Sequence, residues 1–151
     1  MVGKTAPIKA REARRMEVIT TYCGCLPCLL MGYTDVHTSI EHVTERGRRL
    51  PDEHRHTIGL CVWHHFGYRR NHKTLSWMAE QFGPSLTMGR IPFEEHFGDE
   101  VGILVPVQDF MLDLFDRDPW PEYAVPRQVA RKVREHWIQL NAGPSRYTVR
   151  S

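Results

Sequence analysis

The sequence predicts an α+β fold, a short strand pair set between helices at both termini, and three observations carry that expectation. First, Cys25-x-x-Cys28 and Cys61-x-x-His64 are two half-sites with the donor types and spacing of a tetrahedral structural zinc. Second, the 32 residues between them, 29 to 60, hold two β-prone pieces around a basic loop containing Gly47 and Pro51. These are ThrSerIleGluHisVal at 38–43 and HisThrIleGlyLeu at 56–60, and a hairpin would return the second half-site to the first. Third, apolar residues recur at helical spacing on both sides of this segment.

The elements follow in order. Thr5 and Pro7 open a stretch to about Thr20 rich in Ala, Arg, Glu and Met, read as a basic N-terminal helix over 1–20. Residues 21–104 form the zinc-containing segment. Within it, Trp63 to Arg70 begins a helix, and Leu75, Met78, Ala79 and Phe82 mark an amphipathic helix closed by Gly83 and Pro84. Residues 105–151 form a helical extension and tail. Phe110, Met111, Leu114 and Phe115 share one stripe, AspProTrpPro at 118–121 breaks it, and Val129, Val133, Trp137 and Leu140 repeat it beside Arg127, Arg131, Lys132 and Arg134. No internal repeat or low-complexity tract is present.

A chain of 151 residues is long enough for one compact domain with an extension and too short for two substantial cores. Three of its four cysteines fall between positions 23 and 28, where short loops disfavour disulfide geometry, so metal binding in a reducing compartment fits better. The N-terminal residues lack the apolar core of a signal peptide, and no stretch approaches the roughly 18 apolar residues of a membrane span. A cytoplasmic protein with no membrane partner is expected. Cys23 is a competitor of Cys25 for the metal.

The net charge of +2 is unevenly spread. Lys4, Lys9, Arg11, Arg14 and Arg15 make the N-terminal end basic, and Arg46, Arg48, Arg49, Arg55, Arg69, Arg70 and Lys73 bracket the knuckle. Residues 94–122 carry nine acids against Arg117. Such polarity suits a polyanion approaching one face, with the two terminal basic helices extending its footprint.

Seven histidines, His37, His42, His54, His56, His64, His65 and His72, fall within the 36 residues from 37 to 72. His65 directly follows the last zinc position, which would hold it rigidly beside the knuckle. Glu41 precedes His42 at the end of a β-like run. A carboxylate can hold a hard divalent cation while a neighbouring imidazole takes a proton from water. Adjacent strand residues point to opposite faces, so the two serve one site only if the strand ends or twists there.

These residues resemble the HNH, or ββα-metal, nucleases, in which an acid-His-hydrophobic strand, a mid-hairpin polar residue and a final His follow one another. Here those positions are Glu41-His42-Val43, His54 or His56, and His65. More narrowly, the chain is similar to the phage recombination enhancement family called Ref, described as RecA-dependent nucleases. The matching text is GlyCysLeuProCys at 24–28, IleGluHisVal at 40–43, GlyArgArg at 47–49, HisThrIleGlyLeuCysValTrpHisHis at 56–65, GlyProSerLeu at 83–86 and PheGluGluHisPheGly at 93–98. It spans about 22 to 104. The family's His-His pair is replaced by Glu41-His42, its Pro before Leu-Cys by Gly59, and the Asn of the motif by a histidine, His56 or His54.

The resemblance implies a small ββα-metal core and a divalent-metal-dependent endonuclease acting on DNA phosphodiesters. His42 would be the general base, Glu41 and His65 would hold one Mg²⁺ or Mn²⁺, and His56 or His54 would orient base or water. His72, seven residues after His65, is an alternative ligand if the helix persists. Arg48, Arg49, Arg69, Arg70 and Lys73 are the expected phosphate contacts, giving weak sequence preference and strong salt dependence. A RecA-type filament or single-stranded DNA is the partner the resemblance suggests. A non-catalytic zinc-dependent DNA-binding module shares the basic face and the zinc, and nicking of plasmid separates the two. A thiol oxidoreductase built on CysLeuProCys lacks the expected βαβ pattern.

Overall fold

The computed structural model describes residues 7–45 and 48–142, with Glu45 and Arg49 described by their backbones alone. Lys4, Thr5, Arg46, Gly47 and the Gly143-Pro144 tail lie outside the described residues. Helix α1 (Ala10–Val18) begins where the Glu12 carboxylate accepts the Lys9 backbone N–H at 3.0 Å, and it continues into a π-helical turn over Ile19–Cys23. A short helix α2 (Leu26–Leu30) follows, with Pro27 in its first turn, where a missing N–H costs no helical hydrogen bond.

Strand β1 (Ser39–His42) pairs antiparallel with β4 (Thr57–Leu60), in the register Ser39 to Leu60, Ile40 to Gly59, Glu41 to Ile58 and His42 to Thr57. This is the hairpin expected from 38–43 and 56–60. The excursion between the two strands holds a minimal second ladder, β2 (Thr44–Glu45) against β3 (Arg48–Arg49), and a 3₁₀ turn over Glu53–Arg55. At Gly59 a side chain has no room: an added Cβ would lie 2.5 Å from the Gly24 carbonyl oxygen. Its N–H is taken by the buried Gln108 side chain at 3.1 Å.

Helix α3 (Val62–Phe66) ends at Gly67, whose left-handed φ of 74° lets Gly67 N–H reach the Trp63 carbonyl and Tyr68 N–H reach Val62. The expectation of a helix from Trp63 to Arg70 is therefore corrected to one and a half turns. Helix α4 (Leu75–Phe82) closes at Gly83 as its sequence indicates, with the Thr74 hydroxyl accepting Trp77 N–H at its start. Then come α5 (Arg90–Phe97), a π-helical turn (Glu100–Leu104), α6 (Val105–Arg117) and α7 (Arg127–Asn141). α5 has no counterpart among the helices read individually from the sequence.

Two apolar clusters organise the described residues. The larger joins Val18, Leu26, Leu29, Val43, Ile58, Leu60, Phe93, Phe97, Leu104, Met111, Phe115 and Val133, so helices from both ends cover the hairpin. The smaller surrounds the knuckle with Trp63, Met78 and Phe82. Arg15 ties α1 to the hairpin through Thr57, donating to its hydroxyl at 2.9 Å and its carbonyl at 2.8 Å. Arg15 and Arg14 also pair with Asp109 and Asp116 of α6. These two arginines of the basic N-terminal end thus face the acids of α6 rather than forming a free cationic surface. Among the described residues no helix is long and apolar enough to cross a membrane.

Candidate metal centre and active site

Cys25 precedes α2, Cys28 lies within it, Cys61 follows β4 and His64 sits in α3, so the hairpin closes the two half-sites on one point. The four donor atoms lie within 4.8 Å of one another and are buried. Cys28 Sγ is 3.6 Å from Cys61 Sγ, and His64 Nδ1 is 3.4, 3.5 and 3.3 Å from the sulfurs of Cys25, Cys28 and Cys61. A regular tetrahedron around zinc has edges of about 3.8 Å between sulfurs and about 3.6 Å from sulfur to imidazole nitrogen. The cluster therefore could hold a structural zinc without rearrangement.

The imidazole is prepared for that role. His64 Nε2–H donates to the Phe82 carbonyl at 2.6 Å, which leaves Nδ1 with its lone pair toward the three sulfurs. Trp63 Nε1–H donates to the Gly83 carbonyl at 2.9 Å and fixes the same loop. Burial pushes the Cys25 thiol up, whereas hydrogen bonds from Cys25 and Cys28 hold Cys61 well below the thiol range. Three thiols and an imidazole crowded together in a buried pocket are a donor set whose deprotonated form a bound cation stabilises. Cys23 is not among the convergent donors: it lies in the larger apolar cluster, and burial pushes its thiol up to about 12.

His65, one position on, turns back toward the strand pair. Its Nε2 lies 2.6 Å from Glu41 Oε2, and its Nδ1 lies 3.2 Å from Ser39 Oγ. Ser39 Oγ–H donates to the Leu60 carbonyl at 3.1 Å, so the oxygen is left to accept from His65 Nδ1–H. At 2.6 Å the contact has the length of a charge-assisted hydrogen bond between a protonated ring and the carboxylate, and the same nitrogen and oxygen are of the donor types that ligate a divalent ion. Ser39 was not read from the sequence. The signal was present in the two-residue strand period, which puts Ser39 and Glu41 on one face.

His42 joins a different partner. Its Nε2 is 3.0 Å from His54 Nδ1, the rings meeting edge to face at 77°, and His54 Nε2 is 3.6 Å from Glu53 Oε1. His54 and Glu53 are both buried on the 3₁₀ turn. His56, by contrast, is engaged by Asp52 at 2.9 Å and lines a cavity of about 560 Å³ with Arg11, Arg14 and Arg15 of α1. Of the two mid-hairpin candidates, His54 is the one brought to His42. His72 lies in an exposed turn with φ of 60°, beyond the end of α3, so the shared helix face expected for it does not exist.

Glu100, at the start of the π-helical turn, is 1 % exposed and neither carboxylate oxygen has a hydrogen-bond partner. Burial raises its carboxyl to about 7, opposed by Arg90 and reinforced by Glu41, Glu94 and Asp99. Nothing in the local sequence distinguishes it from its acidic neighbours. Of the expected phosphate contacts, Arg48, Arg69, Arg70 and Lys73 are exposed, while the Arg49 side chain lies outside the described residues.

A family model described as recombination enhancement, RecA-dependent nuclease matches residues 8–112. The chain belongs to this family. The match covers the knuckle, the hairpin and α1 to α5, and it ends within α6, so it reaches further toward both termini than the resemblance between 22 and 104. No curated protein and no solved structure matches the chain. As a member of a nuclease family the protein would act on DNA, and the family name carries a dependence on RecA.

Proposed function

We propose that this protein is an HNH-type, divalent-metal-dependent endonuclease that hydrolyses DNA phosphodiesters with low sequence specificity, with its zinc serving the fold. The observation that carries the reading is the 2.6 Å approach of His65 Nε2 to Glu41 Oε2 beside the four-donor knuckle. Mg²⁺ or Mn²⁺ held by Glu41 and His65 would supply charge neutralisation at a non-bridging phosphate oxygen and at the leaving 3′-oxygen.

The side chains themselves account for the proton and the substrate. His42 takes the proton from water for in-line attack on phosphorus. Its Nε2–H, directed at His54 Nδ1 with the buried Glu53 carboxylate behind, stabilises the imidazolium that forms. Arg48, Arg69, Arg70 and Lys73 hold phosphates, a sequence-independent contact that weakens with salt. A RecA-type filament is the partner that the family name suggests.

Purified protein would be incubated with supercoiled plasmid and with recombinase-coated single strands, each with Mg²⁺ or Mn²⁺. Cleavage that His42→Ala lowers by about 10²- to 10⁴-fold, with zinc content and fold unchanged, is the expected result. DNA binding without metal-dependent cleavage on either substrate would leave a zinc-dependent binding module instead.

A further inference from the structure

We propose that Phe66 and Tyr68 form a stacking platform for an unpaired base next to the scissile phosphate, so that the site prefers single-stranded to duplex DNA. The inference rests on the nuclease reading for the position of the phosphate and on the surface itself for the platform.

Helix α3 buries Trp63 and His64 and turns Phe66 outward, half exposed at 50 %, with Tyr68 more exposed at 65 %. Isolated apolar residues on a surface are ordinary, but these two rings are contiguous with the site. Phe66 stacks on the His65 ring, centroids 4.0 Å apart and planes 19° from parallel, and Tyr68 follows with its centroid 5.9 Å from that of Phe66. A ladder of π-faces therefore leads away from Glu41 and His65. Its backbone is fixed by the left-handed Gly67 and by the hydrogen bond from Tyr68 N–H to the Val62 carbonyl, so little ordering is left for binding.

The charge that follows the rings in the chain selects the occupant. Arg69, Arg70 and Lys73 are exposed within the next five positions. Arg70 lies over the Phe82 ring and Lys73 over the Trp77 ring, each at 4.8 Å, which keeps both cations on the surface of α4. Exposed aromatic faces followed directly in the chain by exposed cations match a strand that offers a free base and a phosphate at each nucleotide. A duplex offers the phosphates but hides the base faces.

The test uses the full zinc-loaded chain without added Mg²⁺ or Mn²⁺ and measures binding of labelled oligothymidine and of a blunt duplex of equal length. Tyr68→Ala should weaken single-strand binding by about 5- to 150-fold and leave duplex binding unchanged. Tyr68→Trp should retain the affinity and Tyr68→Leu should lose it, because a ring face rather than apolarity is required. Phe66→Ala is the second probe. Unchanged single-strand affinity in the alanine variants would overturn the proposal, as would an equal loss on both substrates. Ring-dependent single-strand binding without any cleavage would keep the platform and remove the nuclease reading. Cleavage that needs His42 but ignores both rings would do the reverse.

Discussion

Ser39→Ala removes one oxygen that neither touches the proposed metal nor belongs to the family motif, and its expected effect follows from two hydrogen bonds. The hydroxyl donates to the Leu60 carbonyl at 3.1 Å and faces His65 Nδ1 at 3.2 Å. Together they orient the ring whose Nε2 lies against Glu41. Both bonds exist without the ion, so only their part in orienting the ring enters metal affinity, and outer-shell partners of ligating histidines change that affinity by about 10- to 100-fold. The assay is cleavage rate against Mn²⁺ concentration. Ser39→Ala should shift the half-saturating Mn²⁺ upward with much of the saturated rate recovered, and Ser39→Thr, which keeps the hydroxyl, should remain close to wild type. A wild-type Mn²⁺ dependence in Ser39→Ala would refute the claim that this chain of bonds prepares His65.

Three further outcomes are expected. Cys23→Ala should retain one zinc per chain by elemental analysis and lose about 1 kcal/mol from the apolar cluster, whereas Cys25→Ala should lose the zinc and the order of α3 and α4. His54→Ala should reduce cleavage well below His56→Ala, because only His54 reaches His42; equal rates would exclude the proposed support of the base. Glu100 carries the pH prediction: with its carboxyl raised from 4.5 to about 7 in the fold, the native state holds more protons than the unfolded chain between those values. Stability should fall as pH rises across that window and level off above it. Glu100→Gln should therefore gain about 1 kcal/mol at pH 5 and about 3 kcal/mol at pH 8 in denaturant unfolding, and a gain independent of pH would contradict the buried-carboxyl account.

Much of the frame was legible because it rests on local chemistry. The spacing of Cys25, Cys28, Cys61 and His64 specified a tetrahedral donor set, and the β-prone residues over 38–43 and 56–60 specified the strands that close it. The apolar stripes around Met111 and Val133 specified α6 and α7. The length of α3 was misread because apolar spacing continues past Phe66, while the conformational freedom of Gly67 stops the helix. The acids that face Arg14 and Arg15 were not legible from the basic N-terminal end, because Asp116 and Asp109 lie about a hundred positions away in the chain.

Sequence alone thus determined which residues could bind metal and where the strands run, since donor type, spacing and side-chain period act over a few positions. Only the tertiary structure decided that His65 meets Glu41 with one ring nitrogen and Ser39 with the other, that His42 meets His54 rather than His56, and that Glu100 is sealed from water. Those outcomes depend on the direction in which each side chain leaves its backbone and on which distant helix covers it. Packing sets both, and no local pattern of residues encodes either.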